Sequence, residues 1–200
     1  MNNEKRTILV ISARLLDYPA NGIKNLINDI EELVENLIAA TDVKEEIRQM
    51  YKPLSDFNDT EIQELYVETF DLKTKLGLYL TAHELGDSSR RGAALIKLQK
   101  IINQSGFERT GEELADYIPM LLEFLAVAPE NHETNRLQKR LGVVINYMLE
   151  NVNQQNPYGG IFKVLMKHVF PTPTKEEIEQ LELGREEADL EELPYPIMYQ

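Results

Sequence analysis

The chain has 200 residues, 42% of them hydrophobic, which is enough for one domain with a core and a short appendage. It contains no cysteine, so disulfides, thiolate zinc sites and cysteine-held iron–sulfur clusters are excluded, and a reducing compartment suits it. A formal charge of −13 argues against nucleic-acid binding, which needs a concentrated basic face, and favours a basic peptide as partner.

The N-terminal residues lack the apolar length and cleavage pattern of a signal peptide, and no stretch approaches ~20 continuous apolar residues. A cytoplasmic protein is therefore expected. The first helix is predicted over residues 8–16, with Ile8, Ile11, Leu15 and Leu16 inward. It ends at Asp17-Tyr18-Pro19, because the residue before proline avoids the helical region. Asn21-Gly22 is a break. From Ile23, apolar residues recur at steps of three and four through Leu26, Ile27, Ile30, Leu33, Val34, Leu37 and Ile38, one wide stripe on a second helix. Thr41 or Asp42 caps a third, with Val43, Ile47, Met50, Tyr51 and Leu54, which Pro53 is expected to end near Tyr51 or kink.

Asn58-Asp59-Thr60 starts a helix carrying Ile62, Leu65, Tyr66 and Phe70, with Thr60 and Gln63 as its capping box. A further helix is predicted over residues 73–84, with Leu76, Leu80 and His83 on one side. Gly86-Asp87-Ser88 breaks it, and Ser88 or Ser89 caps the next, which carries Leu95, Leu98, Ile101 and Ile102. Gly106 can take the left-handed cap there, with Phe107 folding back. Asp116 is expected to cap a helix with Pro119 in its first turn and Ile118, Leu121, Leu122 and Leu125 inward. Asn131 opens a long helix through Leu137, Leu141, Val144, Ile145, Met148 and Val152. After a loop at residues 156–160, Ile161, Leu165, Met166 and Val169 form the last core helix, stopped by Pro171.

Residues 174–200 hold nine acids and two bases. Thr174 and Glu177 can cap a short helix to about Glu182; beyond Gly184 the chain turns acidic and then rich in Pro and Tyr. The expected architecture is all-α, roughly eight or nine helices around one core over residues 1–170, with an acidic tail over 171–200 that is partly extended or disordered.

Catalytic patterns are missing. His83, His132 and His168 are not spaced as a helical metal pair, and no Gly-rich phosphate loop occurs, so no metal, no cofactor and no catalytic residue is assigned. Gly86-Asp87-Ser88 lacks the strand-to-helix setting of a hydrolase nucleophile, and a serine N-cap is the simpler reading.

Four blocks carry a family resemblance: Ser12-Ala13-Arg14-Leu15-Leu16-Asp17-Tyr18-Pro19; Tyr66-Val67-Glu68-Thr69-Phe70-Asp71; His83-x-x-Gly86-x-Ser88-x-x-Arg91-Gly92; and Glu113-Leu114-x-Asp116-Tyr117-Ile118-Pro119 followed by Leu122-Glu123-Phe124. In order and spacing, over about residues 7–170, the chain resembles the delta-subunit (NarJ-type) assembly chaperones of respiratory nitrate reductase. Ala115 departs from the pattern, which has proline there. The resemblance implies an all-α cytoplasmic chaperone with no activity of its own. Such a protein binds the apo catalytic (alpha) subunit, including its N-terminal leader-like segment, until iron–sulfur and molybdenum cofactors are inserted. The residues alone leave open a chaperone for another molybdoenzyme, or a generic helical peptide-binding adaptor. A monomer is expected.

On that reading, Tyr66, Phe70, Leu80 and Tyr117 line an apolar groove for an amphipathic peptide, with Asp71, Glu84 and Glu123 meeting its basic residues and His83 placed to sense pH. Gly86, Ser88, Arg91, Gly92 and Asp116 organise the adjoining loop. The competing reading is packing: Phe70, Leu80 and Leu122 sit at core spacing, and Asp71, Ser88, Arg91 and Asp116 can serve as caps or loop pins.

Overall fold

Helix α1, Asn3–Leu16, is buried around most of its circumference and forms the centre of the molecule. Its run from Ile8 to Leu16 is apolar on most sides and has to be enclosed, and α7 (Ile118–Val127), α2 (Ile23–Leu37) and α9 (Gly159–His168) pack against it. The computed structural model describes residues 1–20 and 22–190. Asn21 of the expected break and the Pro/Tyr-rich end after residue 190 lie outside them.

The described residues form ten α-helices and one π-helical turn. The others are α3 (Thr41–Ser55), α4 (Asp59–Tyr66), α5 (Leu80–Leu85), α6 (Arg91–Gln104), α8 (His132–Asn151) and α10 (Lys175–Leu190). The all-α expectation holds. Among the described residues, no helix is long and apolar enough to cross a membrane.

Local chemistry accounts for most boundaries. Asn2 caps α1 by accepting the Lys5 N–H at 2.9 Å. Gly22, at φ 87°, separates α1 from α2. Asn131 caps α8, and its capping box closes through Thr134. Gly106, at φ 85°, ends α6, and the Phe107 N–H returns to the Ile102 carbonyl at 3.3 Å.

Several boundaries differ from expectation. The capping box of α4 uses Asn58 and Glu61, not Thr60 and Gln63: Asn58 Oδ1 accepts from the Glu61 N–H at 3.1 Å, and Glu61 Oε2 from the Asn58 N–H at 2.9 Å. Helix α3 runs through Pro53 to Ser55: the proline forgoes one bond, to the Gln49 carbonyl, and the helix ends two residues later. The helix carrying Tyr66 relaxes into a π-turn, Val67–Asp71. The helix predicted over 73–84 shrinks to α5, because main-chain groups just before it bond elsewhere. Leu80 N–H donates to the Asp116 carbonyl at 2.9 Å and Ile118 N–H to the Leu78 carbonyl at 2.8 Å, a small antiparallel bridge between Tyr79 and Tyr117.

The tail also differs. Thr174 and Glu177 form the expected capping pair, at 2.9 and 3.2 Å, but the helix continues to Leu190 and packs on α5 and α8, with Leu181 buried. Leu181 lies one turn after Ile178, which gives α10 an apolar contact despite its charge.

Helices α9 and α3 meet at Gly160, where an added Cβ would stand 3.2 Å from both Cα and O of Met50. Main chain cannot yield as a side-chain tip can. Gly160→Val is therefore expected to destabilise the fold by about 2 kcal/mol, a fall of about 6 °C in the melting temperature by calorimetry.

Candidate functional site

The face of α1 left uncovered by α2 and α9 meets α7 at a cleft of about 590 Å³. Helical spacing sets its walls. Val10, Ala13, Arg14 and Asp17 follow one stripe of α1, and Met120, Glu123, Phe124 and Val127 follow one stripe of α7. Ile102 at the end of α6 and Phe107 close one side, with Phe107 edge-on to Phe124 at 5.9 Å. The floor is apolar. The rim carries Asp17, Glu108, Glu113 and Glu123 against Arg14 and Arg109. Arg109 is already engaged, with Gln99 and with the Glu113 carbonyl. Val127 is 55% exposed, an open apolar contact at the mouth.

The N-terminus of α7 is held by a buried polar hub. Asp116 is fully buried, and its Oδ2 accepts the Thr81 N–H at 3.1 Å and the Thr81 hydroxyl. Arg91 adds a bond to Thr81 Oγ1 at 3.1 Å and a longer one to Asp116 at 3.4 Å, with its guanidinium 5.9 Å from the Tyr79 ring centre. Asp116 therefore caps α5 across the bridge, not the helix it precedes in sequence; Tyr117 occupies the cap position of α7. This hub orients Tyr117, whose hydroxyl donates to Asp17 Oδ1 at 2.9 Å and lies 3.2 Å from the Tyr66 hydroxyl. Burial pushes the pKa of both tyrosines up, so both stay neutral hydrogen-bonding groups.

The residues expected to line a groove divide into three sets. Tyr117 and Glu123 reach the cleft. Tyr66, Phe70 and Leu80 are buried in this conformation, within the core; Tyr66 and Phe70 pack edge-on at 5.0 Å, and both contact Tyr158. His83 is also interior, its Nε2 2.6 Å from the Gly77 carbonyl and its ring 6.0 Å from Tyr147. Asp71 is exposed at the end of the π-turn, outside the cleft walls. Glu84 makes a two-bond pair with Arg140, at 2.7 and 2.6 Å, beside a different cleft.

Among the loop residues, Gly86 ends α5 at φ 52°, a backbone form suited to glycine. Ser88 Oγ accepts the Arg90 N–H at 3.2 Å as α6 begins. Gly92 has nothing within 4 Å of an added Cβ and no positive φ, so nothing in the structure requires glycine there. Sequence reasoning did not single out Val10, Met120 or Val127 as cleft residues, nor Thr81 as the partner of Asp116. The first three lie in helices so apolar that their exposed faces cannot be told from buried ones by pattern.

Comparison with known proteins gives a consistent picture. The family described as "Nitrate reductase delta subunit" matches residues 36–155. The chain is 27% identical over 165 residues to the probable nitrate reductase molybdenum cofactor assembly chaperone NarJ of Bacillus subtilis, covering 82% of this chain and 89% of that protein. It is 27% identical over 163 residues to the nitrate reductase molybdenum cofactor assembly chaperone NarJ of Escherichia coli K12, covering 80% and 68%. A shorter match, 33% over 66 residues, is to the probable assembly chaperone NarW of Escherichia coli K12, covering 33% of this chain and 29% of that protein.

Proposed function

The chain belongs to the nitrate reductase delta subunit family, and on that premise we propose that it is a system-specific assembly chaperone of a nitrate reductase, not a catalyst. Its partner is the catalytic subunit, held in its apo form while the molybdenum cofactor is inserted. The body over residues 1–170 works as a cytoplasmic monomer and carries no cofactor of its own.

The α1–α7 cleft is the seat proposed for the N-terminal peptide of that subunit. The observation that carries this reading is the cleft's pairing of an apolar floor with four rim carboxylates against two guanidiniums, one of them already engaged. A basic amphipathic helix fits such a surface: apolar anchors enter the floor, and basic residues meet Asp17, Glu113 and Glu123. Tyr66, Phe70, Leu80 and His83 serve it from behind by fixing α7 and the bridge.

The test is calorimetric titration of the full chain with the catalytic subunit's N-terminal peptide. Saturable binding is expected, weaker by about tenfold in Glu123→Lys and in high salt. Absence of binding, or affinity indifferent to Glu123→Lys, would overturn the assignment of this cleft.

A further inference from the structure

A second cleft, of about 500 Å³, lies between α5, α6 and α8, with α10 seated over it. Its rim is cationic in balance: four basic side chains stand against Glu133 and Glu84, and Glu84 is paired with Arg140. Arg136, Lys139 and Arg140 fall on one face of α8, and Lys97 adds to them from α6. This is the reverse of the α1–α7 cleft, and it occurs in a chain of formal charge −13. The helix seated there is strongly acidic: residues 175–190 hold seven acids and two bases.

The seat of α10 is small. Leu181 is its buried anchor, 7% exposed, and Glu177 and Gln180 turn to the same cleft. The cleft remains open beside them, so the helix fills its groove incompletely. Residues 171–174 connect α9 to α10 without helix, and they include Pro171 and Pro173. Proline restricts the residue before it to extended forms, so the two helices cannot fuse into one rigid rod. An acidic helix with one leucine anchor, on a non-helical connection, thus lies over a cationic rim.

We propose that the α5–α6–α8 cleft is a docking groove for an acidic amphipathic helix of a partner, and that α10 occupies it in cis as a displaceable self-ligand. Charge complementarity fixes the kind of occupant. A basic leader peptide is repelled by Lys97, Arg136 and Lys139, whereas a helix with glutamates flanking an apolar anchor reproduces what α10 presents. Tethering places α10 at an effective concentration on the order of millimolar, so a competing helix has to bind well before it unseats α10. The two clefts then take segments of opposite charge.

The test uses a fluorescein-labelled peptide of residues 174–190, titrated by anisotropy against the full-length chain and full-length Leu181→Asp. The peptide is expected to bind Leu181→Asp at least about tenfold tighter than the unaltered chain, since the cis helix no longer competes. That gain should disappear when Arg136→Glu and Lys139→Glu, both at exposed positions, are added. Equal affinity for the two chains, no binding to either, or binding indifferent to the charge reversals overturns the proposal. Native-state hydrogen exchange on the unaltered chain gives a second reading that does not depend on any variant folding. Amides of α10 should exchange well before those of α8, and exchange of both helices in one cooperative step overturns the displaceable seat.

Discussion

Asp116→Ala is expected to lower the melting temperature by about 10 °C, corresponding to about 3 kcal/mol. The carboxylate is fully buried and receives the Thr81 N–H, the Thr81 hydroxyl and a longer bond from Arg91. Alanine leaves the first turn of α5 uncapped and the Thr81 donors without that acceptor in the interior. Arg91 is one-quarter exposed and can turn to water, which limits its share of the loss. Asp116→Asn retains an acceptor oxygen for one Thr81 donor and should cost about half as much. In a double-mutant cycle with Thr81→Val the two losses should be clearly less than additive, because both changes remove the same bonds. Calorimetry on the four chains decides it: additive losses, or an unchanged melting point for Asp116→Ala, would show that the hub does not hold α5 and α7 together.

The hub also marks where sequence reading stopped. Periodicity identified most helices because each buries one stripe, as Ile23, Ile30 and Val34 do in α2. It overextended the helix through residues 73–84. Leu76, Leu80 and His83 are indeed buried, but Leu76 precedes the bridge and Leu80 begins the helix after it. Burial alone repeats at helical steps in either arrangement. The bonds from Leu80 to Asp116 and from Ile118 to Leu78 join segments more than thirty residues apart, and no local pattern encodes them.

Asp116 stands just before α7, where a cap is expected, and it is a cap, but of α5. A side chain's partner is set by the tertiary bridge, not by its own position. The cleft proposed for the peptide was legible only at its edges. Tyr117 and Glu123 line the cleft, whereas the aromatics that made residues 66–70 conspicuous are packed against Tyr158 and Tyr18. Large aromatics bury more area than any other side chain, so conspicuous aromatic spacing in a helical protein marks core before it marks a surface.

Binding and folding should therefore separate in two variants. Val127→Asp is expected to weaken the catalytic subunit's N-terminal peptide by about thirtyfold, about 2 kcal/mol, while the melting temperature moves by no more than about 2 °C. Val127 is 55% exposed at the mouth of the cleft, so a carboxylate there disturbs little in the free chain yet meets the anchor of a bound helix. Tyr66→Ala should do the opposite. It removes a buried ring packed edge-on with Tyr18, Phe70 and Tyr158, and with it the hydroxyl facing Tyr117. A loss of about 3–4 kcal/mol in stability follows from the cavity. Below its melting point this variant should still bind the peptide within about threefold, since α1 and α7 supply the contacts. Titrations and melts on both chains read the split directly. If Tyr66→Ala abolishes binding in a well-folded chain while Val127→Asp leaves it intact, the peptide seat lies among the aromatics around Tyr66, and that cluster has to open for the peptide to enter.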